Sequence, residues 1–546
     1  MKRYIYFIIT LGFLILWSSC RKDFEFSPST GSLQFSKDTV YLDTVFTNIG
    51  SSTYNLKVYN RSDNDIVIPN VSLTEGFNSL YRMSIDGTLG ENNGSEGSEG
   101  KVFENVEILA KDSLFIFIET TVDIENQPAT GNQFLYTDAI EFDTGSNLQK
   151  VELVTLIQDA IFIFPERNNT TKIIDTLTLD IGGEIVITDL QGRELLPDEL
   201  NFTNGKPYVI YGFAAVPSGE TLTIDAGSRL HFHENSGIIV SNGASINING
   251  AYSNDQELLE NEVIFEGDRL ETNFSEVPGQ WGTIWLLDGS INNTINYATI
   301  KNATIGILSD GNPNETNDKL TLSNTQIYNS SSFGVLGRNT SITGENVVIN
   351  NSGLSSFAGT LGGKYNFTHA TLVNYWGDGF RQFPAVLLNN FVVDEDNNAT
   401  LADLTEANFN NCIIYGNDNP EILLDEIEDE AVVFNFKFTN CLIRFDDSNN
   451  QFTGPNYDFS DTNKYEGIIF NRDPNFKDKD LNEFIIGDDS AANGKGLAAF
   501  ATQVPLDILN INRTSSPDIG AYQHITFPEF FLNLKNLILS LFFRIN

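Results

Sequence analysis

A short alternating pattern of apolar and polar residues recurs through the middle of the chain. A seven-residue phrase appears six times between Asn296 and Phe445. The copies are NYATIKN from Asn296, SNTQIYN from Ser323, GENVVIN from Gly344, THATLVN from Thr368, NNCIIYG from Asn410 and TNCLIRF from Thr439. Alternation with period two predicts a β-strand in which positions three, five and seven share one face. Position five is aliphatic in every copy, so each phrase predicts one short strand with an apolar face.

The recurrence of the phrase predicts a solenoid. Successive copies start 21 to 42 residues apart, a range typical of solenoid coils with loop insertions. One short strand cannot bury its apolar face, but strands stacked about 4.8 Å apart form a continuous core column. Asn fills position seven in four consecutive copies, at Asn302, Asn329, Asn350 and Asn374. Asn tolerates the left-handed region and can hydrogen-bond from coil to coil, which predicts an asparagine ladder. The alternative interpretation is an Asn-rich β-sandwich in which the phrases recur by chance.

The stacked phrases and the Asn run resemble the right-handed parallel β-helix of the pectate-lyase-like superfamily. The resemblance extends from an opening segment near Tyr208 to the closing sequence SSPDIGAYQ from Ser515. It implies an all-β chain with a β-helix over residues 208–523 and a connector or solenoid cap over residues 161–207. Residues 524–546 form a hydrophobic tail, which either caps the last coil or is poorly ordered.

Residues 31–160 lack the seven-residue phrase and have a different pattern of short alternating segments, which predicts a separate unit. About seven short alternating segments, divided by turn signals, are typical of an immunoglobulin-like β-sandwich. The sequence DTVFTNIGSSTYNLKVYNRS from Asp43 resembles the N-terminal module of Bacteroidetes β-helix lipoproteins, which is similar to the spindle/hydin-type Ig-like domains. No nucleophile, metal cluster or phosphate loop is recognisable in it, so we expect a spacer or assembly module.

The N-terminus predicts a lipid anchor. Lys2 and Arg3 precede an apolar run that is too short to span a membrane comfortably, so residues 1–19 read as a signal peptide. The ending LWSSC resembles a bacterial lipobox, which implies cleavage before Cys20, its acylation, and an acylated linker over residues 20–30. The run from Arg21 to Glu25 resembles the export signal of Bacteroidetes surface lipoproteins. These resemblances imply an outer-membrane-anchored, surface-exposed protein; the alternative is an uncleaved anchor in which Cys20 occurs by chance.

Charge and rare residues narrow the possible partners. The chain has 73 Asp and Glu against 32 Lys and Arg, a net charge of −41, which argues against nucleic-acid binding. A solvated acidic surface explains this composition. The alternative is a functional one, in which clustered carboxylates recruit Ca²⁺. His231 and His233 share a strand face, but two histidines alone are a weak signal, and no metal site is assigned.

Only three Cys occur, which excludes a disulfide scaffold. Cys412 and Cys441 fill the same position in successive phrases. Stacked residues lie about 4.8 Å apart, farther than the roughly 3.8 Å between the Cβ atoms of a disulfide. We therefore expect two buried free thiols.

Candidate chemistry is sparse. The resemblance implies that an enzyme of this superfamily would use clustered acids with Ca²⁺ and a basic residue, or paired Asp residues on neighbouring coils. None of the outward positions of the six phrases is acidic, which argues against catalysis on that face. Arg381 is the isolated candidate for a base or substrate clamp, and the alternative is a structural ion pair with Asp378.

The outward positions are instead rather apolar. They include Tyr328, Ile349, Val373 and Tyr415, with Trp376 just beyond them. An exposed apolar stripe indicates either a covering loop, such as the insertion at 386–407, or a ligand surface on which sugars stack. Tyr328, Tyr415 and Trp376 are the candidate ligand-binding residues. Because fold does not fix function, we expect a non-catalytic binding or adhesion module for a polysaccharide or surface glycan. A polysaccharide lyase or glycoside hydrolase, and a structural envelope component, are the alternatives.

The lipobox yields the first prediction. Replacement Cys20→Ala removes the sulfur that accepts the lipid, so the precursor should remain uncleaved and unlabelled by radioactive fatty acid in growing cells. Fatty acid appearing on the Cys20→Ala protein would show that the anchor lies elsewhere.

Overall fold

The computed structural model describes residues 25–528, apart from residues 93, 95–98, 182 and 312–315. The predicted signal peptide, Cys20 and residues 529–546 of the hydrophobic tail lie outside these ranges, so the roles expected for them stay predictions. The chain divides between Asp159 and Ala160 into two compact units, and each is described by itself. Among the described residues, no helix is long and apolar enough to cross a membrane.

The first unit is a two-sheet β-sandwich. One sheet contains Ser27–Pro28, Ile66–Leu73, Gln133–Phe142, Gln149–Gln158 and Thr39–Phe46, with Val102–Ile108 paired to Ile66–Leu73. The other contains Gln34–Phe35, Tyr54–Tyr59, Ser113–Thr120 and Tyr81–Ile85. Alternate residues of both sheets, such as Val40, Ile116 and Ile140, are fully buried in one shared core. The immunoglobulin-like character of this unit stays a prediction.

The second unit is a parallel β-helix, as the phrases predict. Each coil adds one strand to each of three long sheets, here called sheets 1, 2 and 3. Sheet 1 contains Ile161–Ile163, Tyr208–Ile210, Arg229–Phe232, Val263–Gly267, Ala298–Lys301, Gln326–Ser330, Val348–Ser352, Thr371–Asn374, Ile413–Gly416, Leu442–Ile443 and Ile469–Phe470. Sheet 2 contains Thr176–Ile181, Glu184–Glu194, Phe213–Val216, Gly237–Val240, Ile284–Leu286, Ile305–Asp310, Phe333–Arg338, Phe357–Thr360, Val386–Asn389 and Ile422–Asp425. Sheet 3 contains Asn201–Phe202, Thr221–Asp225, Ser245–Asn249, Asn293–Asn296, Leu320–Ser323, Ser341–Glu345, Gly363–Thr368, Leu404–Asn410, Lys437–Thr439 and Tyr465–Glu466.

Few other regular elements occur among the described residues of this unit. Thr176–Ile181 and Glu184–Glu194 form an antiparallel hairpin at the first end of sheet 2. Two further hairpins pair Phe391–Val393 with Ala399–Leu401 and Phe476–Asp478 with Glu483–Ile486. One short α-helix spans Ala498–Gln503.

The solenoid interior is one continuous apolar core. Inward residues of all three sheets belong to it, and equivalent positions stack from coil to coil. On sheet 3 the rings of Phe367, Phe409, Phe438 and Tyr465 form an unbroken stack, with centroids 5.6, 4.9 and 5.7 Å apart. Parallel in-register pairing places these rings directly over one another, so each coil is held by its neighbours.

The third phrase is shifted by one residue from the predicted register. Ile327 pairs with Ile349, and Val348 pairs with Gln326 and faces outward. The inward column of sheet 1 is therefore Ile300, Ile327, Ile349, Leu372, Ile414 and Ile443, all fully buried. The apolar run Val347-Val348-Ile349 satisfies the alternation in either register. Burial of Val347 and Ile349 in the core decides between the two.

The asparagine ladder is present, with one member corrected. Asn302, Asn329 and Asn351 adopt left-handed φ values of 68°, 57° and 54° at the corner between sheets 1 and 2. The Asn351 amide donates to the Asn329 side chain at 2.8 Å. Asn350, the predicted member, instead donates to Asn482, because the register shift moves it one position earlier. Asn374 bonds to the backbone N–H and C=O of Ser352, so it links coils without an amide–amide contact.

A second ladder lies at the corner between sheets 3 and 1, where the phrases begin. Its members all have φ between 45° and 54°: Tyr297, Asn324, Asn346, His369, Asn411 and Asn440. Asn346 donates to Asn324 at 2.9 Å, and Asn411 donates to Nε2 of His369 at 3.0 Å. Asn is favoured there because it is among the few residues with a side chain that tolerate the left-handed region. Burial and the nearby Arg513 hold the pKa of His369 well below its usual range, so this ring is a neutral structural element.

The two core thiols are free, which confirms that prediction. Cys412 and Cys441 are fully buried in the solenoid core and form no disulfide. Each thiol donates to backbone carbonyls, at 3.3 Å to Asn410 and at 3.2 Å to Phe409. They fill the small inward position that Ala298 and Ala370 fill on other coils.

The second ladder yields a stability prediction. Asn411 is fully buried, exchanges hydrogen bonds with the backbone of Leu497 at 2.8 and 3.1 Å, and has φ of 51°. Asn411→Ala removes both the hydrogen bonds and the residue suited to this backbone, and should lower the free energy of unfolding by about 3 kcal/mol. Asn411→Gly loses only the hydrogen bonds and should cost about 1 kcal/mol less. Urea titration measures both, and an Ala variant as stable as the Gly variant would contradict the backbone role.

Candidate functional site

The apolar stripe on the outward face of sheet 1 is covered, so it is not an open ligand surface. The segment from Phe476 to Tyr522 packs against it in a shared apolar cluster. Tyr328 is only 8% exposed, and its ring lies 6.4 Å from that of Phe484. Tyr415 is half-buried against the same cluster. The prediction that Tyr328 lies on an exposed ligand-binding face is therefore wrong, and the cover is this closing segment, not the insertion at 386–407. The ligand-binding role of the half-buried Tyr415 stays a prediction.

Arg381 is a structural residue and not an accessible base. Its guanidinium binds the fully buried carboxylate of Glu421 through two hydrogen bonds of 2.9 and 2.7 Å. Its Nε also lies 3.2 Å from Asp418, so the alternative partner Asp378 is wrong too. A bidentate pair in which both charges are buried fixes the geometry of the loop and leaves no proton-accepting function. Trp376 is half-buried on the same loop, and its ligand-binding role stays a prediction.

An open site lies on earlier coils, at the corner between sheets 1 and 2. Phe164, Tyr211, His233 and Asp268 each follow a strand of sheet 1 directly. Backbone hydrogen bonds of 2.9, 3.0 and 2.9 Å join Tyr211 to Ile163, His233 to Ile210 and Asp268 to Phe232. Because parallel register places equivalent residues over one another, the four side chains form one column along the axis.

The aromatic members of this column stack on each other. The ring centroids of Phe164 and Tyr211 are 4.9 Å apart, and those of Tyr211 and His233 are 4.3 Å apart. They border a cavity of about 970 Å³, here called the corner cleft. Its other walls include Arg167, Ile174, Asp189, Gln191, Phe213 and Glu234. The corner cleft thus combines an apolar wall with separate hydrogen-bonding groups.

His233 and Asp268 form a polar pair at the end of the column. Nδ1 of His233 lies 2.7 Å from Oδ2 of Asp268, whose side chain is only 13% exposed. This hydrogen bond raises the pKa of His233 above its usual value, against the opposing effect of partial burial. The ring can therefore carry a positive charge close to neutral pH.

A second row of ionisable residues runs beside the column, on the outward face of sheet 1. His231, Glu266 and Lys301 occupy equivalent positions on three successive coils. Lys301 Nζ lies 2.9 Å from Glu266, and His231 Nδ1 lies 3.6 Å from it. Burial would raise the pKa of Glu266, but the neighbouring His231 and Lys301 outweigh burial and lower it. Because burial also lowers the pKa of His231, the Lys301 ammonium is the main opposing charge near neutral pH.

Each of the two rows contributes one carboxylate, and such a pair could in principle serve glycoside hydrolysis. Glu266 lies in the strand Val263–Gly267 and Asp268 directly follows it; two residues of extended chain correspond to about 7 Å between Cα atoms. Inverting glycosidases separate their two carboxyl groups by about 6.5–9.5 Å. The general acid of such a pair needs a raised pKa, whereas the pKa of Glu266 is lowered. The site is therefore better suited to binding than to hydrolysis.

No described group of three or more His, Cys, Asp or Glu side chains is arranged to hold a metal ion. The alternative of Ca²⁺ recruited by clustered carboxylates therefore has no candidate ligand set within the described ranges.

The six phrases do not predict the corner cleft, because they begin at Asn296 and the residues of the cleft column lie on earlier coils. A usable signal was present in the preceding coils. The sequences RLHFH and VIFEGD both alternate, with His231 and His233 on one outward face and Glu266 and Asp268 on the next. Phe164 and Tyr211 carried no such signal, because only the register brings them into line with His233.

No protein-family model matches the chain, and no curated protein matches it either. Among solved structures, a family 123 glycoside hydrolase from Clostridium perfringens, studied for glycolipid glycan hydrolysis, is 9% identical with a TM-score of 0.15. The alignment covers 24% of this chain and 30% of that one. The catalytic unit of a GH87 α-1,3-glucanase from Streptomyces thermodiastaticus is 9% identical over 71% of this chain and 79% of its own, with a TM-score of 0.21. The periplasmic chaperone SfaE is 14% identical over 29% and 84%, with a TM-score of 0.14. These scores are too low to carry an argument about fold or function.

The His233–Asp268 pair yields a pH prediction. A histidine whose folded pKa is raised stabilises the fold fully below its unfolded pKa of about 6.5, and this contribution is lost as pH rises through the folded pKa. Asp268→Asn should therefore reduce the free energy of unfolding more at pH 6 than at pH 8.5. The difference should stay below about 1 kcal/mol, because His233 is half-exposed.

Urea titration at the two pH values measures this difference. Glu220→Gln is the matched control, because Glu220 is an exposed carboxylate of the same solenoid that does not contribute to the raised pKa of His233, and its effect should change little with pH. A destabilisation by Asp268→Asn that grows with pH would contradict the assignment.

Proposed function

We propose that the solenoid is a non-catalytic glycan-binding module and that the corner cleft is its binding site. The observation that carries the proposal is a cleft of about 970 Å³ in which stacked aromatic rings face separate donors and acceptors. A volume in this range suits a ligand of a few sugar rings.

The chemistry of the walls favours a carbohydrate. A sugar ring presents apolar C–H patches and hydroxyls on the same molecule. Phe164 is 48% exposed and offers an apolar surface, while Tyr211 offers both a ring and a hydroxyl. Arg167, Asp189 and Gln191 supply the donors and acceptors that would fix the hydroxyls.

Hydrolysis is the second candidate, favoured by the spacing of Glu266 and Asp268. Its weakness is the Lys301 contact, which holds Glu266 in its ionised form. If Glu266 stays ionised, His233 would have to act as the general acid, but its Nδ1 is already hydrogen-bonded to Asp268.

The setting of the module is also a proposal. The lipobox at Cys20 and the run from Arg21 to Glu25 support a lipid anchor in the outer membrane with the module at the cell surface. The β-sandwich of the first unit would then act as a spacer between lipid and solenoid. A glycan-binding module in this place serves capture or adhesion, and a purely structural envelope role remains the alternative when no glycan binds.

The corner cleft yields the functional prediction. Phe164→Ala and Tyr211→Ala should each weaken retention of a bound oligosaccharide on a glycan array about fivefold, since each removes a contact worth on the order of 1 kcal/mol. Phe380→Ala and Tyr41→Ala are the matched controls, because these side chains are 93% and 65% exposed and lie outside the cleft. The controls should retain wild-type binding.

The same samples separate the alternatives. New reducing ends appearing on incubation with the bound glycan, and disappearing in Asp268→Asn, would establish hydrolysis and reject the non-catalytic proposal. Wild-type protein that binds no glycan, or cleft variants that bind as tightly as wild type, would reject the corner cleft as the binding site.

A further inference from the structure

The later coils of sheet 2 carry an apolar column on their outward face. Five successive strands contribute equivalent residues, which pair in register: Leu308, Leu336, Ala358, Leu387 and Leu423. The residue that precedes each of them lies in the solenoid core, so the column faces away from that core. We call these five residues the sheet 2 column. At about 4.8 Å per coil it extends for roughly 19 Å along the solenoid axis.

The fold covers the earlier part of the same face. Ala215, Ile239 and Trp285 occupy the equivalent position on the three preceding coils. Leu177 and Leu179, from the hairpin at the first end of sheet 2, pack in one apolar cluster with them.

The sheet 2 column lacks such a cover among the described residues. The five side chains are buried or half-buried, yet none belongs to an apolar cluster formed by the described residues. A polar border follows the column on one side: Asp310 and Arg338, which pair, then Thr360, Asn389 and Asp425. An apolar strip of this length indicates a partner or a covering segment.

The tail at residues 529–546, which lies outside the described residues, has the sequence pattern of an amphipathic helix. Polar residues recur at spacings of four, three, four and four: Glu529, Asn533, Asn536, Ser540 and Arg544. They share one helix face, and the opposite face contains Phe531, Leu534, Ile538, Phe542 and Ile545. Lys535 borders this apolar face, where its long stem can lie along apolar surface.

The apolar face of the tail matches the sheet 2 column in length. Phe531 and Ile545 are 14 residues apart, which corresponds to about 21 Å of helix, against roughly 19 Å for the column. Ile538 lies about 10 Å along the helix from Phe531, and Ala358 lies about 10 Å along the column from Leu423. When the ends are aligned, the smallest residue of the column therefore lies opposite the middle of the tail.

The described chain ends beside the late coils of this face. The N–H of Ile525 donates to the carbonyl of Ile486 at 2.9 Å, and Ile486 pairs with Phe476. The ring of Phe476 lies 6.3 Å from that of Tyr375. Tyr375 begins the loop that leads from sheet 1 into the strand of Leu387, so the tail leaves the fold close to the sheet 2 column.

We propose that residues 529–546 fold back along sheet 2 as an amphipathic helix whose apolar face covers the sheet 2 column, running from Leu423 towards Leu308. This contact removes apolar surface of both partners from water. The tail carries Lys535 and Arg544 against Glu529, so its net positive charge is attracted to a strongly acidic chain. The placement differs from a cap on the last coil, which would leave the column without a cover. It does not depend on the corner cleft or its ligand.

The first test joins the two surfaces by a disulfide in the full chain. Ala358→Cys/Ile538→Cys should form the bond under mild oxidation, and mass spectrometry of the linked peptides distinguishes it from links to the native thiols. Ala358→Cys/Ser540→Cys is the matched control, because Ser540 lies on the polar face of the tail. Since a disulfide needs close Cα atoms, the control should give at least about tenfold less linked product.

Hydrogen exchange provides the second test. Tail amides of the wild-type protein should exchange about tenfold or more slowly than those of an unstructured peptide. Leu336→Thr/Leu423→Thr makes two half-buried column residues polar while keeping strand preference, and should remove most of this protection. Ile185→Thr/Ile187→Thr is the matched control, because these side chains are 71% and 82% exposed outside the column, and it should keep the protection. A melting temperature confirms that each variant is folded.

Three results would overturn the inference. Tail amides that exchange at the unstructured rate in the wild type, or equal linkage of Ser540 and Ile538 to position 358, would show that the tail does not dock on the column. Protection that survives Leu336→Thr/Leu423→Thr in a folded protein would place the tail on another surface. Protection that appears only after addition of phosphatidylethanolamine–phosphatidylglycerol vesicles would make the tail a membrane-binding segment instead.

Discussion

Parallel in-register stacking is the constraint on which the solenoid depends. Each coil is hydrogen-bonded to the next at equivalent positions, so any feature of one coil is placed directly over its counterpart. The same rule produces the phenylalanine stack of sheet 3, the two left-handed ladders at the corners and the pair of free thiols. It also assembles the corner column, since Phe164, Tyr211 and His233 are distant in sequence and adjacent only because their strands align.

The closing segment illustrates the cost of exposing a solenoid face. Sheet 1 has outward apolar residues on its later coils, and these would be exposed without a cover. The segment that covers them brings its own buried charges: Asp507, Arg513 and Asp518 are fully buried. Burial lowers the pKa of Arg513 to about 10, and its guanidinium donates to Asn346 of the second ladder and to the carbonyls of Gly520 and Ala521. Arg513 therefore links the sequence DIGAY of the closing segment to Asn346 on the coils.

Function follows from which faces are left open. The early coils of sheet 1 lie beyond the closing segment and carry the ionisable row of His231, Glu266 and Lys301. The neighbouring corner carries the aromatic column of Phe164, Tyr211 and His233. The strongly acidic chain therefore has an open cleft that combines aromatic rings with groups of both charges. The proposal of a glycan ligand rests on this combination of rings and hydrogen-bonding groups.

The sequence by itself determined the class of fold, the recurrence of the strands and the inward aliphatic residue of five of the six phrases, because burial of alternate aliphatic residues is a local pattern that the coils repeat. It also determined that Cys412 and Cys441 would be stacked and free. It did not determine the register of the third phrase, since Val347, Val348 and Ile349 are all apolar, so that either alternation places an aliphatic residue in the core. Nor did it determine that Tyr328 is covered or that Arg381 binds Glu421, 40 residues further along the chain. It also did not place Phe164 in the same aromatic column as His233. These depend on contacts between segments far apart in the chain, and only the tertiary structure decides which of the outward positions meet solvent.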